Sequence, residues 1–206
     1  MDIHQDQPPK NFNFFQLACL PALITILILL LALGEPSSSE LLQFDRNNIL
    51  AGEYWRLITG HFVHLGWQHV LMNLLGLALI WALFGQRYDN FKWLITITVS
   101  ALFISAGLLL FDKELIWYVG FSGVLHGMFV AGAIASICAG YRAEIILVIL
   151  LSLKLVWEQI EGALPGSAEF AGGNVVVNAH LYGAIAGLII AIGIFIAEKY
   201  ADSSSK

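Results

Sequence analysis

The chain has 206 residues, of which 58% are hydrophobic and 12% charged, whereas a soluble domain carries about a quarter charged residues. Several stretches of about twenty residues hold few or no charges, the length that crosses roughly 30 Å of hydrocarbon. A polytopic membrane bundle is therefore expected, and the net charge of −5 argues against nucleic acid as a partner.

Six membrane spans are expected near 14–34, 67–86, 91–111, 121–140, 143–163 and 178–197. They make an all-α bundle in one domain over 1–206, with the core at about 14–197 and a polar tail at 198–206. The first apolar run follows Lys10, extends from Leu17 to Leu33 and ends at Ala32-Leu33-Gly34. It loosely imitates a signal peptide but is long for one, and reads as an uncleaved helix. The connection from Glu35 to Gly66 is long and amphiphilic. Pro36 and a serine run open it, and Ser39 is a candidate cap for a short helix. Tyr54 and Trp55 are suited to anchoring short interfacial helices, and Arg56 to pairing with a loop carbonyl or carboxylate. The stretch ALPGSAEFAGGNVVVN precedes the last span, with Gly172-Gly173 as a hinge candidate. The terminal ADSSSK is expected to lack structure. Cys19 and Cys138 fall in apolar segments and read as buried free thiols.

The Lys/Arg bias favours a cytoplasmic N-terminus. That choice puts Lys10, Arg87, Lys92, Arg142, Lys199 and Lys206 inside, and Arg46, Arg56 and Lys113 outside. Spans two, four and six then run from outside to inside, so their N-terminal ends share one depth. Span two opens with HLGWQHVLMN, in which His69 and Asn73 are i, i+4 neighbours on one helix face. Span four opens with GFSG around Ser122, and span six with NAHLYGAIAG around His180. Polar groups inside membrane segments are costly and suggest function. Ser122 alone reads as readily as a small packing residue. Beside a base it becomes a nucleophile, and His180 supplies that base if spans four and six touch. The Ser122 N–H, the Asn73 amide and His69 are candidate oxyanion donors, next to the positive end of span four. Gly183 and Gly187, and Gly123 and Gly127, repeat the spacing that lets two backbones approach closely. Among carboxylates, Glu53, Asp112, Glu158 and Glu161 are neighbours by topology without a telling spacing, so a Ser-His dyad is expected.

At this point the chain resembles the rhomboid intramembrane serine proteases. The residues that carry the resemblance are Trp55-Arg56, the HxxxxHxxxN pattern of His64, His69 and Asn73, GFSG around Ser122, and AHxxGxxxG around His180, Gly183 and Gly187. They span about residues 50 to 195. The resemblance implies a compact six-helix bundle whose catalytic serine starts the fourth helix, above a water-filled cavity. It also implies Ser122 as nucleophile, His180 as base, and His69, Asn73 and the Ser122 amide, with Gly120 beside them, as the oxyanion site. Many bacterial rhomboids carry a tyrosine four residues after the serine; here that residue is His126. GFSGVLHG and AHLYG resemble the rhombosortase subgroup instead. That subgroup implies a bacterial inner-membrane enzyme whose active site opens to the periplasm. Its substrates would be membrane-anchored exported proteins whose C-terminal tails hold a Gly-Gly motif, a transmembrane helix and a basic cluster. The implied partners are these proteins and the lipid bilayer.

His126 shares a face with Ser122, but it lies one turn deeper with its side chain pointing back toward the N-terminus. It is better placed to stack on or hydrogen-bond His180 than to act as the base. His64 is expected to hydrogen-bond within the first connection or the cavity. No cofactor or metal is expected, because HExxH with its glutamate base is absent and no full ligand set is visible. Glu158 and Glu161 read as interfacial, or as lining a substrate gate between spans two and five that meets a basic tail. The glycine-rich loop before span six is a candidate cap over the cavity. Two other classes fit parts of the pattern. One is an inactive rhomboid-like helix binder, against which both Ser122 and His180 count. The other is a small transporter, which predicts polar residues in both membrane halves and a pair of interrupted helices.

Overall fold

The structure, a computed structural model, describes residues 14–204. Its elements run α1 (Phe14–Leu33), α2 (Ser37–Leu42), β1 (Phe44–Asp45), α3 (Arg46–Leu50), α4 (Arg56–Thr59), α5 (Trp67–Phe84), α6 (Asn90–Leu110), β2 (Trp117–Tyr118), α7 (Ser122–Cys138), α8 (Glu144–Glu161), α9 (Ser167–Ala171) and α10 (Val177–Ser204). The six longer helices coincide with the six apolar stretches. Three of them, α5, α6 and Val177–Ala201 of α10, are long and apolar enough to cross a membrane, while Ala18–Leu33 and Ser122–Cys138 are apolar but shorter. The helix α8 carries Glu144, Lys154, Glu158 and Glu161.

Small residues place α7 at the centre. It packs most extensively on α10, and also on α6, α5 and α8. Gly123, Gly127, Ala131 and Ala133 are all buried along it. A Cβ on Gly183 would lie 2.0 Å from the Gly123 carbonyl oxygen, and one on Gly187 2.1 Å from that of Gly127. The α7–α10 contact is thus backbone against backbone, which only glycine permits.

The first connection is a strap rather than a set of interfacial helices alone. Its strand β1 pairs antiparallel with β2, Phe44 opposite Tyr118 and Asp45 opposite Trp117. Arg46 donates to the carbonyls of Leu108, Leu109, Asp112 and Leu115, closing the C-terminal end of α6 where orphan carbonyls accumulate. Arg56 is buried and binds Glu53 along with the Gln43 and Glu40 carbonyls. These bonds hold the segment that leads into Ser122.

Three local expectations need correction. Ser39 lies inside α2 and donates to Glu35 Oε1 at 2.7 Å, while Pro36 occupies the cap position. Cys19 and Cys138 are free but exposed, because apolar sequence in a membrane bundle does not distinguish an inward face from an outward one. The polar end does not break the helix, since no glycine or proline follows Gly193 to stop it, and Lys92 pairs with Glu198. Lys10, Ser205 and Lys206 lie outside the described residues. The loop before α10, with its expected hinge at Gly172-Gly173, contains α9, which ends at Gly172 in the left-handed region.

Candidate active site

Ser122 is the first residue of α7, and His180 lies in the first turn of α10. The glycine contact brings them together: Ser122 Oγ is 3.0 Å from His180 Nε2. Both line a cavity of about 770 Å³, together with His69, Asn73 and His126. Apolar residues make up much of its wall, among them Met72 and Leu79 of α5, Leu151 of α8 and Phe170 of α9. Leu65 of the first connection and Leu164, Pro165 and Asn174 of the loop before α10 also line this space.

Local backbone geometry sets the entrance to α7. Gly120 has φ +118°, and a Cβ there would lie 2.7 Å from His69 Cε1. Only glycine therefore lets the chain pass against the His69 ring. Its amide donates to the Gly60 carbonyl at 3.2 Å, and its carbonyl accepts from the Tyr118 hydroxyl at 2.8 Å. Burial pushes the Tyr118 phenol up from its ordinary value, which keeps it a donor. The Asn73 amide donates to the His69 carbonyl at 2.9 Å, one turn back on α5, while its Oδ1 is buried without a protein partner.

His64 does not join a hydrogen-bond network. It is buried, neither ring nitrogen has a protein partner, and the ring meets that of His69 edge-on with centroids 4.9 Å apart. Burial, then the His69 charge, pulls its pKa down to about 3. His61 is fully buried, with Nε2 3.0 Å from Ser105 Oγ. That hydroxyl donates to the Leu57 carbonyl, so His61 Nε2 carries the proton. Burial lowers the His61 pKa to about 4. Both rings are neutral supports of the first connection.

His126 stacks on His180, with centroids 4.2 Å apart and planes inclined by 17°. Its Nδ1 is 2.7 Å from the Ser122 carbonyl oxygen, so Nδ1 carries the proton and Nε2 is the acceptor. That Nε2 receives Lys154 Nζ at 2.7 Å.

The four carboxylates left open in the sequence separate cleanly. Glu53 binds Arg56. Asp112 accepts from Asn178 and Tyr182, two residues either side of His180, and so holds the start of α10. Glu161 is exposed. Glu158 is buried, 3% exposed, with its two oxygens 3.1 and 3.0 Å from His180 Nδ1. Glu158 is thus not at an interface or a gate, and the expected dyad has a carboxylate behind it. Lys154 Nζ reaches Glu158 Oε2 at 2.8 Å and lies 3.1 Å from His180 Nδ1. Sequence reasoning missed Lys154 and the role of Glu158. The usable signal was a Lys–Glu pair at i, i+4 in an otherwise apolar span, ending at the depth where the even spans begin.

His126, Glu158 and His180 each offer one ligand atom, all within 4.8 Å of one another. The Lys154 ammonium stands among these atoms, so the positive charge at that point comes from the chain itself.

Residues 51–197 match the rhomboid domain family. The rhomboid protease GlpG of Yersinia enterocolitica is 26% identical over 203 residues, covering 92% of this chain and 69% of that protein. The rhomboid proteases GlpG of Yersinia pestis and of Yersinia pseudotuberculosis are 25% identical with the same coverage.

Proposed function

The chain belongs to the rhomboid family of intramembrane serine proteases, and from that premise we propose that it cleaves the C-terminal transmembrane sorting tails of exported proteins, in the manner of a rhombosortase. Ser122 is the nucleophile and His180 the base. The observation that carries the chemistry is the 3.0 Å contact of Ser122 Oγ with His180 Nε2 on the wall of the cavity.

In this reading Ser122 Oγ attacks the scissile carbonyl carbon and its proton passes to His180 Nε2. The negative oxygen is received by the Ser122 N–H, His69 and Asn73. Collapse breaks the C–N bond, and His180 returns the proton to the leaving amine. Water then attacks the acyl-enzyme, gives its proton to His180, and Ser122 regains one on release of the acid. All six longer helices span the bilayer, the N-terminus is cytoplasmic and the cavity opens to the periplasm. A substrate helix enters laterally between α5 and α8, and the loop bearing α9 covers it.

The narrower substrate class is supported by His126, which takes the position where many rhomboids place a tyrosine and stacks on the base. The alternative, a general protease for single-span proteins, is favoured by the likeness to the GlpG proteases. Co-expression with Gly-Gly-tailed and generic single-span substrates, comparing wild type with Ser122→Ala, separates them. Cleavage of the Gly-Gly-tailed set alone supports the proposal; efficient cleavage of both classes favours the alternative. An inactive helix binder would fail to be labelled at Ser122 by a serine-directed fluorophosphonate.

A further inference from the structure

The outward side of α8 is mostly apolar from Ile145 to Ile160, yet the helix turns one cation and one carboxylate inward. The Glu158 side chain is 2% exposed and that of Lys154 24%. A buried ion pair is weak evidence for stability, because desolvation offsets its attraction and packed apolar residues often serve a fold as well. This pair instead abuts the imidazole that faces Ser122.

We propose that Glu158 is a positioning residue for His180, held ionised by Lys154, so that the reactive unit of this chain is Ser122–His180–Glu158 anchored on an internal cation. The proposal rests on Ser122 as nucleophile and His180 as base.

An ionised carboxylate only accepts hydrogen bonds. With both Glu158 oxygens at His180 Nδ1, that nitrogen carries the proton. Nε2 is then bare, 3.0 Å from Ser122 Oγ. The opposite tautomer would put the proton on Nε2, where nothing could accept one from serine. During attack the Ser122 proton moves to Nε2 as the Oγ–C bond forms. The Nδ1 proton stays between His180 and Glu158, and Glu158 remains a carboxylate beside the imidazolium.

Lys154 makes this arrangement conditional. Its Nζ is 3.1 Å from His180 Nδ1, donor facing donor. Glu158 Oε2 accepts from both, 2.8 Å from Nζ and 3.0 Å from Nδ1. Without that oxygen the ammonium would donate to a bare Nδ1 and hold the inactive tautomer. His126 keeps the ammonium in place through Nε2 and is itself tied to the Ser122 carbonyl. Removing Glu158 therefore does more than remove a charge, and removing Lys154 as well relieves part of the damage.

The test uses the full chain in detergent micelles, with a single-span substrate that wild type cleaves and fluorophosphonate labelling of Ser122. Glu158→Gln is expected to lower kcat by about 10³- to 10⁴-fold with KM within about threefold of wild type. Adding Lys154→Met to Glu158→Gln is expected to recover about tenfold or more, short of wild type. The thermal midpoint of the double variant, in which both charges are gone, stays near that of wild type. Wild-type kcat in Glu158→Gln overturns the proposal, as does a well-folded double variant no faster than the single. If Glu158→Gln alone fails to fold, full turnover in the double variant overturns it instead. Failure of wild type itself to label at Ser122 would refute the serine-protease reading rather than the role of Glu158.

Discussion

Gly183→Ala puts the whole geometry of the site under test with one methyl group. The new Cβ would start 2.0 Å from the Gly123 carbonyl oxygen, whereas real Cβ contacts essentially never fall under 3.0 Å. The opposing atom is backbone, so no side chain can swing away, and α7 and α10 must separate locally by about 1 Å. Gly123 follows Ser122, and Gly183 lies three residues after His180. The same displacement therefore stretches the 3.0 Å Ser122–His180 contact to about 4 Å, beyond hydrogen-bond reach. Overpacking of this kind destabilises by about 1–3 kcal/mol, and a 1 Å misplacement lowers turnover about 100-fold. The assay is cleavage of a single-span substrate alongside the thermal midpoint in detergent. Gly193→Ala is the control, on the same helix with nothing within 4 Å, and it should match wild type in both. Wild-type turnover in Gly183→Ala would refute the claim that backbone contact sets the distance between Ser122 and His180.

Gly120→Ala combines a positive φ with a clash against the His69 ring, and is expected to lower kcat by about 100-fold or more through the oxyanion site; unchanged kcat would separate His69 from catalysis. His126→Ala is expected to lose about tenfold to a hundredfold while retaining measurable cleavage, whereas His180→Ala retains none. Equal and complete loss in a stably folded His126→Ala would reverse those roles. For pH, the folded values of about 4 for His61 and about 3 for His64 lie below the ordinary 6.5. Between those values the unfolded chain holds protons that the folded chain lacks. Stability is therefore complete above pH 6.5 and falls as the pH drops toward the folded values, by up to about 1.4 kcal/mol per pH unit for each histidine. Thermal midpoints of Ser122→Ala across that range measure the slope. An equally steep slope in His61→Leu would show that His61 does not contribute to it.

Much of the helical framework was legible because lipid-compatible helices must be apolar over a set length, and the motifs stand at their ends. His69, Asn73, Ser122 and His180 could be grouped without coordinates, since helices of equal parity begin on the same side of a membrane. The β1–β2 pair was not legible. Each strand has two residues, too short for an alternating pattern, and their pairing is set by Arg46 gathering the carbonyls at the end of α6. The exposed cysteines were misread for a related reason. In a soluble core apolar means inward, but on a membrane helix both faces are apolar.

The sequence by itself indicated where the six longer helices lie, the nucleophile and base as candidates, and the small residues that let α7 and α10 meet. Only the tertiary structure decided which carboxylate stands behind His180. Glu53, Asp112, Glu158 and Glu161 are equivalent by composition and near-equivalent by depth. Glu53 is taken up by Arg56 and Asp112 by Asn178 and Tyr182, and the rotation of α8 about its axis turns Lys154 and Glu158 toward His180 and leaves Glu161 outside. The i, i+4 spacing of Lys154 and Glu158 marks one face of α8, but which neighbour that face meets follows from packing between residues distant in sequence.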